Sequence, residues 1–569
     1  MFQRRSLPAL LLAVPLFLYI VYPLCSMLGE SFSLPVSAFR ARAMGWDPER
    51  QPFAAPLRRL FSEPSALEAI WGTLLISVAT VLAAGAWGLS LALLWSRREF
   101  PGRRFFAAVG YAPVLMPPLV GTLAFYRLIG DGGALWRLIP FSGGRPLWGG
   151  FGQVLAVHVY SFGIYTYAYA AAALEETDFS KEEAARSLGA GRIKTFMAAV
   201  WPQVKPAVAA SAVLTFMGAA ASFSAPYILD NAMRYLTVEI VKNQDDQGLQ
   251  RALGVLLACI SLAALPLFLY FTRRGGSSNM AGADVTLGLK GAAERRLPPA
   301  SIAESRIRLA FSLLATSILL APPLMVFYSA IAPQSGGSGA GFSAAWASLL
   351  ANSENLESLK RSGLFGAAAA FIDVAAAVAL ALSLRRATLL PSFLLEFGVM
   401  LAVAIPGSVV ALSLLSAFNN GSPLALGVPL GGTSAILIYA YAVRCLPLAV
   451  RPARAALESL GGDLENAAAS LGAGRARTFL RIVLPLILPS LLAAGLIVFV
   501  TGAGEFVASE LLFYPWTKPV SVEIDELFRT DPGPAFLLAL CLMLLSAAAV
   551  AGRFVISDLA GWLWRRTRG

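Results

Sequence analysis

Apolar residues run through this chain in long blocks, and polar residues collect between them. About twenty consecutive apolar residues make a helix long enough to cross the hydrocarbon core of a bilayer. Blocks of this kind lie near residues 7–28, 70–95, 105–129, 151–174, 206–228, 252–272, 307–332, 362–384, 391–417, 433–450, 487–511 and 535–557. The pattern predicts an all-α membrane protein of about twelve transmembrane helices. Internal prolines (Pro113, Pro117 and Pro118; Pro406) predict a kink or a break in the spans near 105–129 and 391–417. Broken helices are tolerated where neighbouring protein re-satisfies the backbone, often beside a transport pathway. Alanine- and glycine-rich stretches such as GLFGAAAAFIDVAAAVALAL suit close helix packing. The first block follows Arg4 and Arg5 as a signal peptide would, but it is too long for a typical h-region and no A-x-A site follows. We expect a retained first helix.

Composition strengthens this reading. Hydrophobic residues make up 57% of the 569 and charged residues 14%, against about 45–50% and about 25% in soluble proteins. Such a chain lacks the polar surface to cover itself in water, and its hydrophobicity excludes disorder. The net charge of +12 would point to nucleic acid in a soluble protein, but no clustered basic, aromatic-rich stretch accompanies it. In a membrane protein, Lys and Arg orient the chain. With twelve spans and an inside N-terminus, the inside segments hold 27 Lys and Arg and the outside segments 14, while Arg127, Arg308, Arg444 and Arg553 fall within spans. Both termini are therefore expected in the cytoplasm. The four cysteines show no CxxC spacing, and His158 is the single histidine. That argues against a disulfide framework, a zinc site or Ser-His-Asp catalysis.

An internal repeat organises the chain. Residues 182–206 read EEAARSLGAGRIKTFMAAVWPQVKP, and residues 465–489 read ENAAASLGAGRARTFLRIVLPLILP. Fourteen of 25 positions are identical at an offset of 283, half the chain length. Each copy follows the fourth span of its half and leads into the fifth. The expected organisation is a first half at 1–272, a Gly-, Ser- and charge-rich linker at 273–306, and a second half at 307–569.

The repeated segment has a physical logic. Glu182, Glu183, Ala184, Ala185 and Leu188 favour a helix. Asp178 and Ser180 can cap its start. Gly189 and Gly191 permit a sharp turn. Pro202 and Pro206 are expected to mark the entry to the next membrane helix, where a missing N–H is harmless. The product is a short helix lying along the membrane face and joined to a span: a lever, or a docking knob.

The pattern E-A-A, then Gly, then a hydrophobic-x-Pro ending resembles the EAA loop in permease subunits of binding-protein-dependent ABC importers. In that family the loop docks on the ATP-binding subunit. The resemblance assigns Glu183, Ala184, Ala185, Gly189 and Pro202 to the first coupling loop, and Asn466, Ala467, Ala468, Gly472 and Pro485 to the second. Asn466 replaces the family glutamate, with Glu465 adjacent. The fused layout is similar to that of ferric-iron and thiamine permeases. Supporting stretches are RREFPGRRFF at 97–106, LAVAIPGSVVAL at 401–412 and GAGEFVASELLF at 502–513; ASFSAPYILDNAMRYLTVEI at 221–240 takes the place of the last in the first half. The resemblance implies two separate ABC ATPase subunits, a periplasmic or extracellular substrate-binding protein, and residence in the bacterial inner membrane.

No P-loop is present, since none of the seven lysines follows a glycine. ATP is therefore expected on the partner subunit, with no cofactor or metal bound by this chain. Intramembrane ionisable residues are functional candidates by default: His158, Asp373, Arg444, Glu505 and Glu510. His158 and Glu505 are the candidates for the substrate pathway. Interhelical hydrogen bonding is the plainer reading for His158, and a structural ion pair for Glu505. Arg444 is a conceivable partner for Asp373. The expected function is import of a solute, with ferric iron first and thiamine or another small ion second. The rival readings are a twelve-span secondary transporter driven by an ion gradient, which would not need EAA loops, and a membrane-embedded enzyme, which lacks a catalytic constellation.

Overall fold

A computed structural model of the chain describes residues 3–33, 55–139, 145–274, 301–332, 342–386, 389–419, 427–460 and 462–566. Residues 275–300 of the expected linker, with Arg295 and Arg296, lie outside them, as does Arg568. Among the described residues there is no β-strand. The principal helices are, in chain order, α1 (Gln3–Ser33), α2 (Pro64–Trp95), α3 (Pro118–Ile129), α4 (Gly150–Glu175), α5 (Phe179–Ser187), α6 (Trp201–Ala220), α7 (Gln247–Arg274) and α8 (Ile302–Ile331). There follow α9 (Ser353–Arg386), α10 (Leu389–Ala404), α11 (Gly407–Phe418), α12 (Ser434–Ser459), α13 (Asp463–Ser470), α14 (Leu484–Ala503) and α15 (Pro532–Arg566).

Helices occupy all twelve apolar blocks. Among the described residues seven helices are each long and apolar enough to cross a membrane, and a bent pair makes up to eight. That pair is α10 and α11, which meet at 109° around Pro406. A proline lacks the N–H that would continue the ladder and clashes with the preceding turn, so the span breaks there. The matching block of the first half is also interrupted. It runs as Arg103–Val109, a 3₁₀ turn at Ala112–Leu115 carrying Pro113, and α3 beginning at Pro118.

The chain forms two compact units. One comprises residues 60–242 and 256–329. Its core is α2 packed against α4 and α6. Glycine makes the first crossing possible: a Cβ on Gly88 would fall 2.3 Å from the Gly163 carbonyl oxygen, so the backbones touch directly. In this unit α8 is tied to the end of α2. Arg308 donates to the Leu94 carbonyl at 2.7 Å, and the Trp95 indole N–H donates to Ser312 at 2.9 Å.

The other unit comprises residues 1–59, 243–255 and 330–569. Here α9, α12 and α14 pack together, again with a close approach at glycine: a Cβ on Gly366 would meet the Phe499 carbonyl oxygen at 2.7 Å. Helix α1 lies against α10 and α11. Arg251 locks this packing through Glu30 on α1 and Ser416 on α11, each at 3.0 Å. Arg59 pairs with Asp246 at 2.6 Å.

Candidate functional site

Both copies of the repeated loop take the same form. In the first, Asp178 caps α5 by accepting the Ser180 N–H at 3.0 Å. The helix ends at Gly189, whose φ is +83°. The Gly189 N–H closes on Arg186 O at 2.9 Å and the Ala190 N–H on Ala185 O at 3.0 Å. In the second, Gly472 has φ +78°, with the Gly472 N–H on Ala469 O at 3.0 Å and the Ala473 N–H on Ala468 O at 2.9 Å. This double closure over a left-handed residue is the Schellman arrangement, which satisfies the last carbonyls of a helix. A Cβ at either glycine would meet nothing within 4 Å. Backbone conformation is what calls for glycine here, since the space around both positions is open.

The faces of these short helices divide sharply. Glu183 and Ala184 are exposed and Ala185 half-buried; Asn466 and Ala467 are exposed and Ala468 buried. Just before each glycine, Leu188 and Leu471 are both 88% exposed. The opposite face carries Glu182, which is buried and bonds the Arg97 guanidinium beyond the end of α2. In the second copy Glu465 pairs with Arg385 at the end of α9, at 2.7 Å. The carboxylate held by the protein is thus the first glutamate of the segment, present in both copies. Glu183 and its counterpart Asn466 both point to solvent. Nothing in the sequence pattern joins Arg97 to Glu182, 85 positions away.

Each loop leads into a membrane helix through one turn of wider pitch. Arg192–Thr195, the π-helical turn Phe196–Val200 and α6 follow one another without a break, and so do Arg475–Thr478, Phe479–Val483 and α14. The Trp201 N–H bonds Phe196 O, and the Leu484 N–H bonds Phe479 O, each five residues back. Pro202 and Pro485 come immediately after, within a continuous helix; of the two prolines expected at the helix entry, Pro202 sits at the π-to-α junction and Pro206 inside α6. A proline ring clashes with the carbonyl four residues earlier in an α-helix, and the wider π turn relieves that clash. In each half the rod begins at Arg192 or Arg475, just beyond the glycine turn that ends the short helix.

The segments after α6 and α14 also match in detail. The Thr73 hydroxyl accepts the Leu236 N–H at 2.9 Å, and the Ser362 hydroxyl accepts the Val520 N–H at 2.8 Å. Thr237 donates to Ser222 O, and Ser521 to Glu505 O, each at 2.7 Å. Arg234 pairs with buried Glu239 at 3.2 Å, and Lys518 with buried Glu523 at 2.5 Å. Burial works against the Lys518 ammonium, but Glu523 and Glu526 outweigh it and hold its pKa above the ordinary lysine value. The sequence signal lay in YLTVEI and PVSVEI, aligned at an offset of 284.

The intramembrane candidates fall apart into separate places. His158 is buried on α4, with Nδ1 3.0 Å from the Thr80 hydroxyl and Nε2 2.9 Å from that of Ser222. Both ring nitrogens are spent between helices. Glu505 follows α14, accepts the Ala508 N–H at 3.1 Å and pairs with Arg444 of α12. Arg444 is therefore the partner of Glu505, and the pairing with Asp373 considered from the sequence is not made. Asp373 is buried on α9, with Oδ2 unpartnered among the described residues. Glu510 is half-buried on the short helix Val507–Leu512. An arginine at the centre of a membrane helix costs about 2.5–3.5 kcal/mol, so Arg444 marks a place with water or a polar partner. Among the described residues no group of three His, Cys, Asp or Glu side chains has metal-binding geometry.

The family model for the binding-protein-dependent transport system inner membrane component matches residues 84–274 and again 374–556, more than half the chain. The chain is similar to the "Probable ABC transporter permease protein y4fN" of Sinorhizobium fredii, with 27% identity over 85% of this chain and 86% of that one. It is similar to the "Fe(3+)-transport system permease protein FbpB 2" of Haemophilus influenzae, with 26% identity over 82% of this chain and 85% of the relative. It also matches the "Molybdenum transport system permease protein ModB" of Escherichia coli, with 35% identity over 23% of this chain and 56% of the relative. The chain thus belongs to the binding-protein-dependent ABC permease family, as a multi-pass membrane transport subunit that carries the permease domain twice and is not itself an enzyme.

Proposed function

We propose that this chain forms the membrane path of an ATP-driven importer of ferric iron in the bacterial plasma membrane. Two ATPase subunits dock on its two coupling loops from the cytoplasm, where both termini also lie, and a substrate-binding protein delivers the solute to the outer face. ATP binds and is hydrolysed on the partner subunits. The observation that carries the reading is the matched pair of loops. Each presents an exposed leucine, Leu188 or Leu471, on a short helix capped by a left-handed glycine. Each continues through a π turn into a membrane helix. A force on the short helix passes through the glycine turn to the continuous helix beyond it. Closure of the ATPases draws the loops together and rocks the halves between inward and outward openings. Orientation rests on the 27-to-14 bias of basic residues.

Iron is favoured because the relatives named for ferric transport match 77–82% of this chain. Another small ion is the second reading, favoured by the shorter but closer match to the molybdenum permease. The test is reconstitution of the chain with its ATPase and binding protein in proteoliposomes, measuring uptake of radiolabelled ferric iron, molybdate and thiamine alongside ATP hydrolysis. Ferric uptake that depends on ATP and on the binding protein supports the proposal. Uptake driven by an imposed proton or ion gradient without ATPase subunits contradicts it.

A further inference from the structure

Arg444 stands near the middle of α12, a 26-residue helix. Its guanidinium has five N–H donors, and among the described residues it makes one hydrogen bond, to Glu505 Oε1. The other four N–H groups are unspent. The side chain is 29% exposed, although Val443, Cys445 and Leu446 beside it are buried. A half-paired guanidinium at this depth requires water or a ligand.

Its position is specific. A Cβ on Gly407 would fall 2.2 Å from Arg444 Nη1, so the guanidinium lies directly on the backbone at the first residue of α11. Helix α11 has 12 residues and begins at the 109° break. The first N–H to close within it is that of Val410, onto Pro406 O at 2.9 Å; the N–H groups before it have no partner in the helix. Ser408 is fully buried, and its hydroxyl has no hydrogen-bond partner among the described residues. Unspent donors of two kinds therefore meet here, the guanidinium and the first-turn amides, and Ser408 is the next residue along α11. Glu505 is the acceptor among them. At an offset of 283 the first repeat has Ser161 where the second has Arg444, and Ser222 where it has Glu505. The charged centre belongs to the second half.

We propose that this break binds a small oxyanion. Its oxygens take the open N–H groups of Arg444, the first-turn amides of α11 and the Ser408 hydroxyl. A guanidinium fork fits two oxygens at once, and a helix N-terminus favours negative charge, so an anion with several oxygens uses this donor set more fully than a halide does. The inference rests on the importer reading: the oxyanion is cargo, either free or as a ligand on a transported metal ion.

The test uses the full chain in lipid nanodiscs and equilibrium dialysis with labelled sulfate, phosphate and molybdate, each with and without ferric iron. The wild type is expected to bind at least one oxyanion saturably. Binding should weaken tenfold or more in Arg444→Gln/Glu505→Gln, a pair that keeps a neutral hydrogen bond and avoids an orphaned carboxylate. Ser408→Ala should weaken it severalfold, and Arg444→Lys should retain part of it. Binding without iron identifies a free oxyanion, and binding only with iron identifies a metal-held one. Absence of saturable binding by monodisperse wild type under every condition overturns the proposal, and so does equal binding by the double variant. Co-purification of the ATPase is measured on the same samples. Its loss beside intact oxyanion binding counts against the importer reading, and its retention without oxyanion binding counts against this site alone.

Discussion

Glu465 and Arg385 lie 2.7 Å apart and fasten α13, the short helix of the second repeat, to the end of α9, as Glu182 and Arg97 fasten α5 to the end of α2. The Glu182 pair is the more buried, with side chains 6% and 17% exposed against 30% and 24% for Glu465 and Arg385. A charge-assisted hydrogen bond contributes about 1.5–3 kcal/mol when shielded from water, and solvent discounts the second pair toward the lower values of exposed pairs. Arg97→Gln should therefore lower uptake more than Arg385→Gln, while Arg97→Lys restores part of it. Uptake and hydrolysis measured together check this, with hydrolysis outrunning transport as the signature of a loosened lever. Unchanged coupling in both Gln variants would remove the role assigned to these pairs.

The two left-handed glycines make a separate prediction. Since a Cβ at Gly189 or Gly472 meets open space, the cost of substitution is one of backbone conformation, about 1 kcal/mol for an ordinary residue. Asn tolerates that conformation; Val does not. Uptake should fall in the order wild type, Gly189→Asn, Gly189→Val, with the same order at Gly472. Gly189→Asp and Gly472→Asp should also lower transport sharply, since they add a charge beside the exposed leucines, while the protein still inserts. Equal uptake in all variants at both positions would return these loops to the status of plain connectors.

The π turns carry the third prediction. Pro202→Ala or Pro485→Ala supplies the missing N–H and removes the ring that favours the wider turn. Reversion to an α-helix rotates the loop by about 100° against its span, one residue of helix. Transport should drop severalfold, with a lesser effect on membrane insertion. Spin-label distances between the loop and α6 or α14 would register the rotation, and unchanged distances would show that the prolines do not set the turn.

Orientation is open to direct test. Reporter fusions after Arg274 and at the C-terminus should be active as cytoplasmic reporters and silent as alkaline phosphatase. Phosphatase activity at either place would overturn the proposed topology.

Much of this architecture is legible in the residues. Apolar runs are long enough to name the helices, and Pro406 announces an interruption, although the 109° bend depends on what packs around it. The repeat at 182–206 and 465–489 marks the loops. The chain pattern could not show which glutamate turns inward, because Glu182 and Glu183 are adjacent and only burial separates them. Nor could it join Arg444 to Glu505, 61 positions apart. Asp373 was as near a candidate by composition, and only the packing of α12 with the end of α14 decides between them. The π turns were hidden for a similar reason: Pro202 and Pro485 read equally well as the first turn of a new helix.

The central claim is that Leu188 and Leu471 stand at the surfaces where separate ATPase subunits dock. The most direct measurement places a photoreactive side chain at each position in turn and irradiates membranes that contain the assembled transporter. The account predicts a crosslink to the ATPase subunit from both positions, with no such crosslink from exposed Phe371 on α9. An assembled, ATPase-retaining transporter that gives no crosslink from either leucine would contradict it.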